Sequence, residues 1–554
     1  MILTYEFTYF SKNGALENFL DNIAKDSSIK YSINTDSDRV FLHVEEDNEE
    51  KLLEFSNTLS ALLPVSVFLV DTKIYVSEEL NEKAYKVREC ENRFSFTPKS
   101  LKTSINEFNP FIKNEVGANI NITPPLVLSS QNGTKKFSDS YQEAFLSLAD
   151  EIIENGANIK TTNGTFFISL INEKNFSLIN DGNFFIMPTD LSVVDKMFII
   201  EKEEIVALAS LEKPALTLPT NTLFSSKNGY MPKILKVSLA NDLFLQLLST
   251  VLFKKNIEFV FISKQQDKFL TLGFNDNVED SDVFEVTTLK NGRNIVTNGL
   301  KYTSKHKIEK IKNFSDKSYT FFISLLDENS LFEDSCCGFF LSEKYDDKIM
   351  FYSEKSGVLD FVCLEYEKEI CKIFEKIGLV DENSAKLIEN YKKNFSSLYE
   401  NAINISLNED SSQNFYNLFA IIALLLGFGE DLESARRKFI ENFSLFGGVK
   451  GPRFDYKLKD TDSLKTTFDA YKLIRSALSY KLAGVDDMLL SYGLLESLVF
   501  FLCDTTDSYK DNFDVKNVAF FGSFFRHKTF SNLCLKHFSP NYKVNFNKEL
   551  PIEF

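Results

Sequence analysis

The residues best placed to do chemistry stand near the C-terminal end of the chain. Lys516-Asn517-Val518-Ala519-Phe520-Phe521 is a short apolar run of the kind that forms a buried strand. Gly522-Ser523 follows, where backbone can turn sharply and come close to a ligand. Phe524, Phe525, Thr529, Leu533 and Cys534 then spread through a segment that can coil as a helix. Strand, glycine turn and helix together aim backbone N–H groups at a phosphate. The same order is also plain structural punctuation after a buried strand, so the turn alone leaves both readings open. Metal chemistry has less support. The seven cysteines (Cys90, Cys336, Cys337, Cys363, Cys371, Cys503 and Cys534) form no CxxC pair. The four histidines, His43, His306, His527 and His537, share no HxxxH spacing.

Composition bounds what else the chain can be. Its 554 residues suggest three or four domains, and 44% hydrophobic with 25% charged residues suits an ordinary globular protein. The net charge is −17, from 79 acids against 62 bases. That excludes a general nucleic-acid binder, whose affinity comes from cationic contacts to phosphates. Unpaired cysteines suit a reducing cytosol. The N-terminus, Met1-Ile2-Leu3-Thr4-Tyr5-Glu6, lacks the basic and apolar regions of a signal peptide. The longest apolar run, residues 418–428, falls short of the about 20 residues that span a bilayer. The expectation is a cytoplasmic protein without a membrane partner.

The elements follow from periodicity. Residues 3–10 alternate as a strand. Leu16, Phe19, Leu20 and Ile23 share one helical face. Strands at 40–44 and within 65–76 flank a second amphipathic helix at 51–62, the order of a ferredoxin-like fold. Residues 91–135 are polar and carry Pro98, Pro110, Pro124 and Pro125. From 136 a second α/β region begins, with Ala144, Phe145, Leu148 and Ile152 on one face of a helix.

The first ninety residues resemble the acylphosphatase-like domain that opens the HypF-type carbamoyltransferases of nickel–iron hydrogenase maturation. The family's anion loop, VQGVGFRPF, matches Ser11-Lys12-Asn13-Gly14-Ala15-Leu16-Glu17-Asn18-Phe19. Glu17 stands where the family has its phosphate-holding arginine, so the expectation is a solvated loop without hydrolysis. Asn34 matches the family's catalytic asparagine. Zinc modules follow in the family, beginning CPxCL and later CxxCG. This chain reads Thr97-Pro98-Lys99-Ser100-Leu101 and Lys113-Asn114-Glu115-Val116-Gly117, with all four thiols absent.

Further segments resemble the family's YrdC-like domain in the same order. Residues 156–167, with Lys160 and Gly164, are similar to the strand ending KGLGGFH, which implies a lysine and a glycine that cradle ATP phosphates. Phe184-Phe185-Ile186-Met187-Pro188 is similar to PFALM. The basic KRRxxKP before it is replaced by Ile179-Asn180-Asp181-Gly182-Asn183. Lys213-Pro214-Ala215-Leu216 fits RPIVLL, residues 238–248 fit LPYTPLHHLL, and the strand at 259–263, ending in Ser263, fits the one that ends TSGN. Two polyanions in one site need several cations, and only Lys160 and Lys213 remain. Read alone, each is a solvated surface lysine.

The last part resembles the Kae1-like domain, an actin-like fold of two lobes around a nucleotide cleft. Phe339-Phe340-Leu341-Ser342-Glu343-Lys344-Tyr345-Asp346-Asp347 matches FLSQHIGD, and residues 518–527, with Gly522 and Ser523, match VALSGGVFQN. Lys548-Glu549-Leu550-Pro551 fits the closing REVP. The metal-binding HHAH has no counterpart, since no histidine lies between His306 and His527.

The resemblance thus implies a multidomain α/β (α+β) protein. It is acylphosphatase-like over 1–90, a degenerate zinc-module remnant or linker over 91–135, YrdC-like over 136–310 and Kae1-like over 311–554. It implies Asn34 as the catalytic candidate and Lys160, Gly164, Ser263, Asp347, Gly522 and Ser523 as nucleotide-binding residues. Mg-ATP and carbamoyl phosphate are the implied ligands, and proteins of hydrogenase maturation the implied partners; zinc and iron are not expected. Three readings follow. The first is a pseudoenzyme acting through protein interaction. The second is an active carbamoyltransferase that forms carbamoyl-adenylate and passes the carbamoyl group to a partner's cysteine. The third is a nucleotide-binding regulator.

Overall fold

Alternating apolar residues make β1 (Ile2–Tyr9), whose Tyr5 and Phe7 are almost wholly buried. With β2 (Lys30–Asp36), β3 (Arg39–Glu45) and β4 (Leu69–Ser77) it forms a sheet of order β2-β3-β1-β4. Helices Ala15–Asp26 and Glu49–Leu62 cover one face, with Phe19, Leu20 and Phe55 turned into the core. This is the ferredoxin-like arrangement expected from the sequence. The computed structural model describes residues 2–77, 87–88, 90, 92, 94, 96–117, 119–131, 133–179, 184–312, 316–459 and 466–554. Residues 180–183, where the family's basic segment would stand, lie outside the described residues.

The chain divides into two compact units, Met1–Lys312 with Lys548–Pro551, and Asn313–Asn547 with Ile552–Phe554. Unit 1 also holds a nine-stranded sheet. Its strands are β5 (Leu126–Ser130), β6 (Gly133–Phe137), β7 (Ala157–Thr161), β8 (Gly164–Leu170), β9 (Phe185–Pro188), β10 (Leu216–Pro219), β11 (Ile234–Val237), β12 (Phe259–Lys264) and β13 (Thr271–Gly273). Their order is β10-β11-β9-β12-β8-β7-β13-β5-β6. Helices Tyr141–Glu154 and Leu243–Lys254 bury Phe145, Leu148, Leu247 and Leu248 in its core. A hairpin of β14 (Glu285–Thr288) and β15 (Asn294–Asn298) follows.

Residues 91–135 are more regular than a linker. Pro98–Glu107 is a helix, started by Thr97 and Ser100 as a capping box with Pro98 in the first turn. β5 and β6 end the nine-stranded sheet, so a boundary at residue 136 would cut through β6. β5, paired with both β13 and β6, is five residues long and buries only Leu126; β6 hides in the sequence because it is the edge strand. Lys135 and Lys136 are exposed there, and no buried face imposes an alternating apolar pattern.

Unit 2 is built on β16 (Cys336–Phe340), β17 (Lys348–Ser353), β18 (Gly357–Leu364), β19 (Thr466–Phe468), β20 (Asn517–Phe521) and β21 (Lys543–Asn545), in the order β19-β18-β17-β16-β20-β21. β16 and β20 run parallel and are buried along their whole length. Phenylalanines fill this core: Phe520 packs on Phe339, Phe538 and Phe546 at centroid distances of 5.5, 5.0 and 5.5 Å. Each such ring contributes about 1.5–3 kcal/mol by burial. Among the described residues this is the one sheet of unit 2, where two lobes were expected; the remainder is helical. Helix Asp487–Phe513 runs for 27 residues. Its stretch Asp487–Lys510 is long and apolar enough to cross a membrane by length and composition. Yet 72% of its apolar window is buried inside the fold, as in the core helix of a globular protein. The sequence reading missed this helix because its acids and hydroxyls interrupt the apolar run.

Candidate functional site

β20 delivers the chain into the Gly522 turn. Gly522 has φ 101°, and a Cβ there would sit 2.2 Å from the carbonyl oxygen of Leu341, so glycine is required. A single turn of 3-10 helix, Ser523–Arg526, precedes helix Lys528–Phe538, so the helix starts later than the sequence suggests. The turn's donors are already engaged. Gly522 N–H donates to the Ile552 carbonyl at 2.9 Å, and Ser523 N–H to the Glu553 carboxylate at 2.8 Å. The Ser342 hydroxyl donates to the same oxygen of Glu553 at 2.8 Å. The other oxygen, Oε1, is buried and has no partner among the described residues. A side-chain carboxylate thus lies where a phosphate oxygen would be expected to meet the turn.

Asp347 closes this cluster from the other side. Its carboxylate accepts from Ser342 N–H at 2.7 Å and Phe415 N–H at 2.6 Å. Burial pushes its pKa well above the usual range, and the nearby acids Asp346 and Glu553 push the same way. Glu343 N–H donates to the Ser523 hydroxyl oxygen at 2.9 Å. Burial would raise the Glu343 pKa, but the 3.0 Å contact from His527 and the charges of Arg526 and Arg436 hold it below the usual range. Asp347, Gly522 and Ser523 are linked in this cluster through Ser342 and Glu553, two residues without a sequence signal of their own.

In unit 1 the acylphosphatase-like loop is buried rather than solvated. Ser11, Asn13 and Glu17 are exposed by only 4, 4 and 2%. Its donors also have internal partners: Asn13 N–H donates to the Ser11 hydroxyl at 3.2 Å, and Ala15 N–H to the Asn13 side chain at 3.0 Å. Glu549, wholly buried, accepts from the Ser11 hydroxyl at 3.2 Å and Lys12 N–H at 3.3 Å. It also accepts from Ser304 N–H and pairs with Lys307 at 3.3 Å. Burial raises the Glu17 pKa, and its Oε2 has no partner among the described residues. Asn34 lies on β2 opposite Phe41, with its side-chain oxygen buried and unpartnered among the described residues.

Two of the four zinc positions, Thr97 and Ser100, join a polar network with Asn114 and Glu115; the other two are Lys113 and the buried Val116. The Thr97 hydroxyl donates to the Glu115 carboxylate at 2.7 Å and lies 3.0 Å from the Ser100 hydroxyl. The Ser100 hydroxyl donates to Asn114 at 2.9 Å, and the Asn114 amide reaches the Phe94 carbonyl. Thr97 and Ser100 are 0 and 2% exposed. Oxygen and amide groups of this kind satisfy one another and form no thiolate set for zinc.

On the nine-stranded sheet, Lys160 does not project from the surface. Its ammonium donates to the carbonyls of Phe274 at 3.1 Å and Asp276 at 2.6 Å and lies over the Phe274 ring. Gly164 has φ 126°, and a Cβ there would meet Asp280 at 2.4 Å. Ser263 is held in β12 opposite Phe167. None of the three lines the two cavities that adjoin this sheet. The larger, about 260 Å³, is bordered by Lys113, Asn163, Asp242, Glu279, Lys301 and Lys305, among others. The smaller, about 60 Å³, shares Asn163, Ser281 and Lys301 with it and adds Glu212 and Lys213. Lys301 donates to Asn163 at 2.8 Å. Asp242 caps helix Leu243–Lys254 and accepts from Thr162; burial raises its pKa despite those bonds. Lys213, with φ 47°, donates to the Ala209 carbonyl at 2.5 Å, and burial lowers its pKa to about 8. Glu212 beside it accepts from the Ser66 hydroxyl at 2.6 Å and Val67 N–H at 3.0 Å. Asp242 and Lys301 carried no sequence signal beyond their type.

No protein-family model matches the chain. Two solved structures share its whole length at 12% identity: full-length HypF in its phosphate- and nucleotide-bound form, with a TM-score of 0.62, and T. kodakarensis HypF, with a TM-score of 0.69. Each match covers 100% of this chain and 96% of the other. The fold is therefore that of a HypF-like protein, with acylphosphatase-like, YrdC-like and Kae1-like domains. Among curated proteins, Protein HydE of Wolinella succinogenes is 25% identical over 554 residues, 97% of each chain.

Proposed function

We propose that this HypF-like chain serves hydrogenase maturation by binding other proteins of that process in the cytoplasm, and not by carbamoyl transfer. The observation that carries the reading is Glu553 on the N–H of Ser523. The phosphate-type turn after β20 is occupied by the protein's own carboxylate. Glu549 on Lys12 N–H, and Lys160 on two carbonyls, repeat the pattern in unit 1. An external anion would have to displace groups that are buried and already hydrogen-bonded. All seven cysteines are free thiols, which suits a reducing compartment.

A second reading rests on the larger cavity. At about 260 Å³ it is below the ~300–1,000 Å³ of drug-sized ligand pockets. Lys113, Lys301 and Lys305 on its wall favour a small anion such as carbamoyl phosphate over a nucleotide. Calorimetric titration of the full chain with Mg-ATP, with carbamoyl phosphate, and with both separates the readings. The proposal expects no heat at millimolar ligand. Heat with carbamoyl phosphate alone supports the small-anion site. ATP binding strengthened by carbamoyl phosphate, with ATP–pyrophosphate exchange, would restore the enzyme. ATP binding alone would make the chain a nucleotide-dependent regulator.

A further inference from the structure

We infer that β4 is a self-pairing edge through which a second copy of this chain extends the ferredoxin-like sheet. β4 ends its sheet, hydrogen-bonded to β1 on one side and to no strand on the other among the described residues. Its register places Thr72 beside Phe7 and Ile74 beside Tyr5, both core residues. Yet Ile74 is 58% and Val76 63% exposed, and Val70 is 51% exposed. The row therefore continues the apolar face of the sheet past the point where the fold covers it. Residues 71, 73 and 75 lie on the opposite, polar face, where Tyr75 reaches Glu6 at 3.3 Å. An edge with exposed apolar residues is a template for pairing, and charges on it select a partner edge whose charges are complementary.

The sequence of the edge is complementary to itself. In an antiparallel pair with Thr72 opposite Thr72, Val70 lies against Ile74 and Asp71 against Lys73, each twice by symmetry. Within one copy Lys73 and Asp71 are only a loose pair at 3.9 Å, so both charges are available across the dyad. A β-bulge in the β1–β4 ladder between Thr8 and Tyr9 adds Val70 to β4 and ends the regular ladder, which confines pairing to residues 70–74 and their mates. So short an edge makes a small interface, at the weak end of specific contacts. The dimer is accordingly weak, with a dissociation constant in the micromolar range.

Sedimentation velocity of the full chain over a concentration series tests this. Wild-type protein should shift from monomer to dimer with rising concentration. Ile74→Lys and Asp71→Lys should each weaken the dimer at least tenfold, and Asp71→Lys with Lys73→Asp should restore it, since the swap recreates the opposed charges. All three sites are at the surface, and circular dichroism of each variant confirms that it is folded. A wild-type monomer at every concentration overturns the inference. So does a dimer indifferent to the single changes, or one that the charge swap fails to rescue.

Discussion

Replacing Glu549 by glutamine should loosen the acylphosphatase-like loop by an amount the structure sets. Glu549 is wholly buried, and Lys307, its ion-pair partner at 3.3 Å, has a side chain only 9% exposed. The carboxylate also holds the Ser11 hydroxyl and the N–H groups of Lys12 and Ser304. Glu549→Gln keeps the shape and removes the charge that Lys307 meets at 3.3 Å in the buried interior. Breaking such a pair from one side costs about 3–5 kcal/mol. Hydrogen exchange at Lys12 and Ser304 reads that cost locally. Every 1.4 kcal/mol is tenfold, so both amides should exchange about a hundredfold faster or more. Adding Lys307→Met should recover most of the loss, because removing both charges leaves no buried ion to compensate. A single variant that costs less than about 1 kcal/mol, or leaves both amides as protected as before, refutes the reasoning. Glu549 would then be incidental to the loop.

Two further outcomes follow from the described geometry. Burial holds the Lys213 pKa at about 8 against the ordinary 10.5, so between these values the folded chain binds fewer protons than the unfolded one. Its contribution to stability therefore rises with pH across that window, and below pH 8 the penalty is complete, on the order of 3 kcal/mol. Lys213→Met should stabilise the chain at pH 7 and flatten urea midpoints between pH 8 and 10.5; an unchanged slope would count against a buried ammonium. Gly522→Ala should lower the stability of unit 2 by about 2–4 kcal/mol, because the new Cβ meets the Leu341 carbonyl at 2.2 Å in a left-handed backbone. An urea midpoint equal to that of the wild type would show that the turn can relax.

Much of the architecture was legible in the sequence because it is written in periodicity. β1 and the helix that buries Phe19 and Leu20 each have a face that must be buried, marked by alternation or helical spacing, and β20, buried on both faces, shows as an unbroken apolar run. The polar partners were not legible. Glu549 and Glu553 read as acids in a C-terminal stretch, and nothing local tells that one meets Lys12 and the other Ser523, since both contacts join residues far apart in the chain. Lys160 shows the same limit from the other side. Its type and position suggested a phosphate, while Phe274 and Asp276, more than a hundred residues away, supply the carbonyls that take its protons. β6 escaped because an edge strand with exposed lysines has no period to detect.

The network of Thr97, Ser100, Asn114 and Glu115 has a consequence for how this part of the chain responds to its surroundings. A module closed by a metal has a stability that depends on supply: it falls logarithmically as the free ion is withdrawn, and oxidants reach it through its thiolates. A module closed by hydroxyl, amide and carboxylate has no such reservoir to draw on or lose. Closure through such groups is unimolecular and independent of concentration. What such a closure gives up is a handle, since hydroxyl, amide and carboxylate groups do not open and close a segment with metal supply as a thiolate site does.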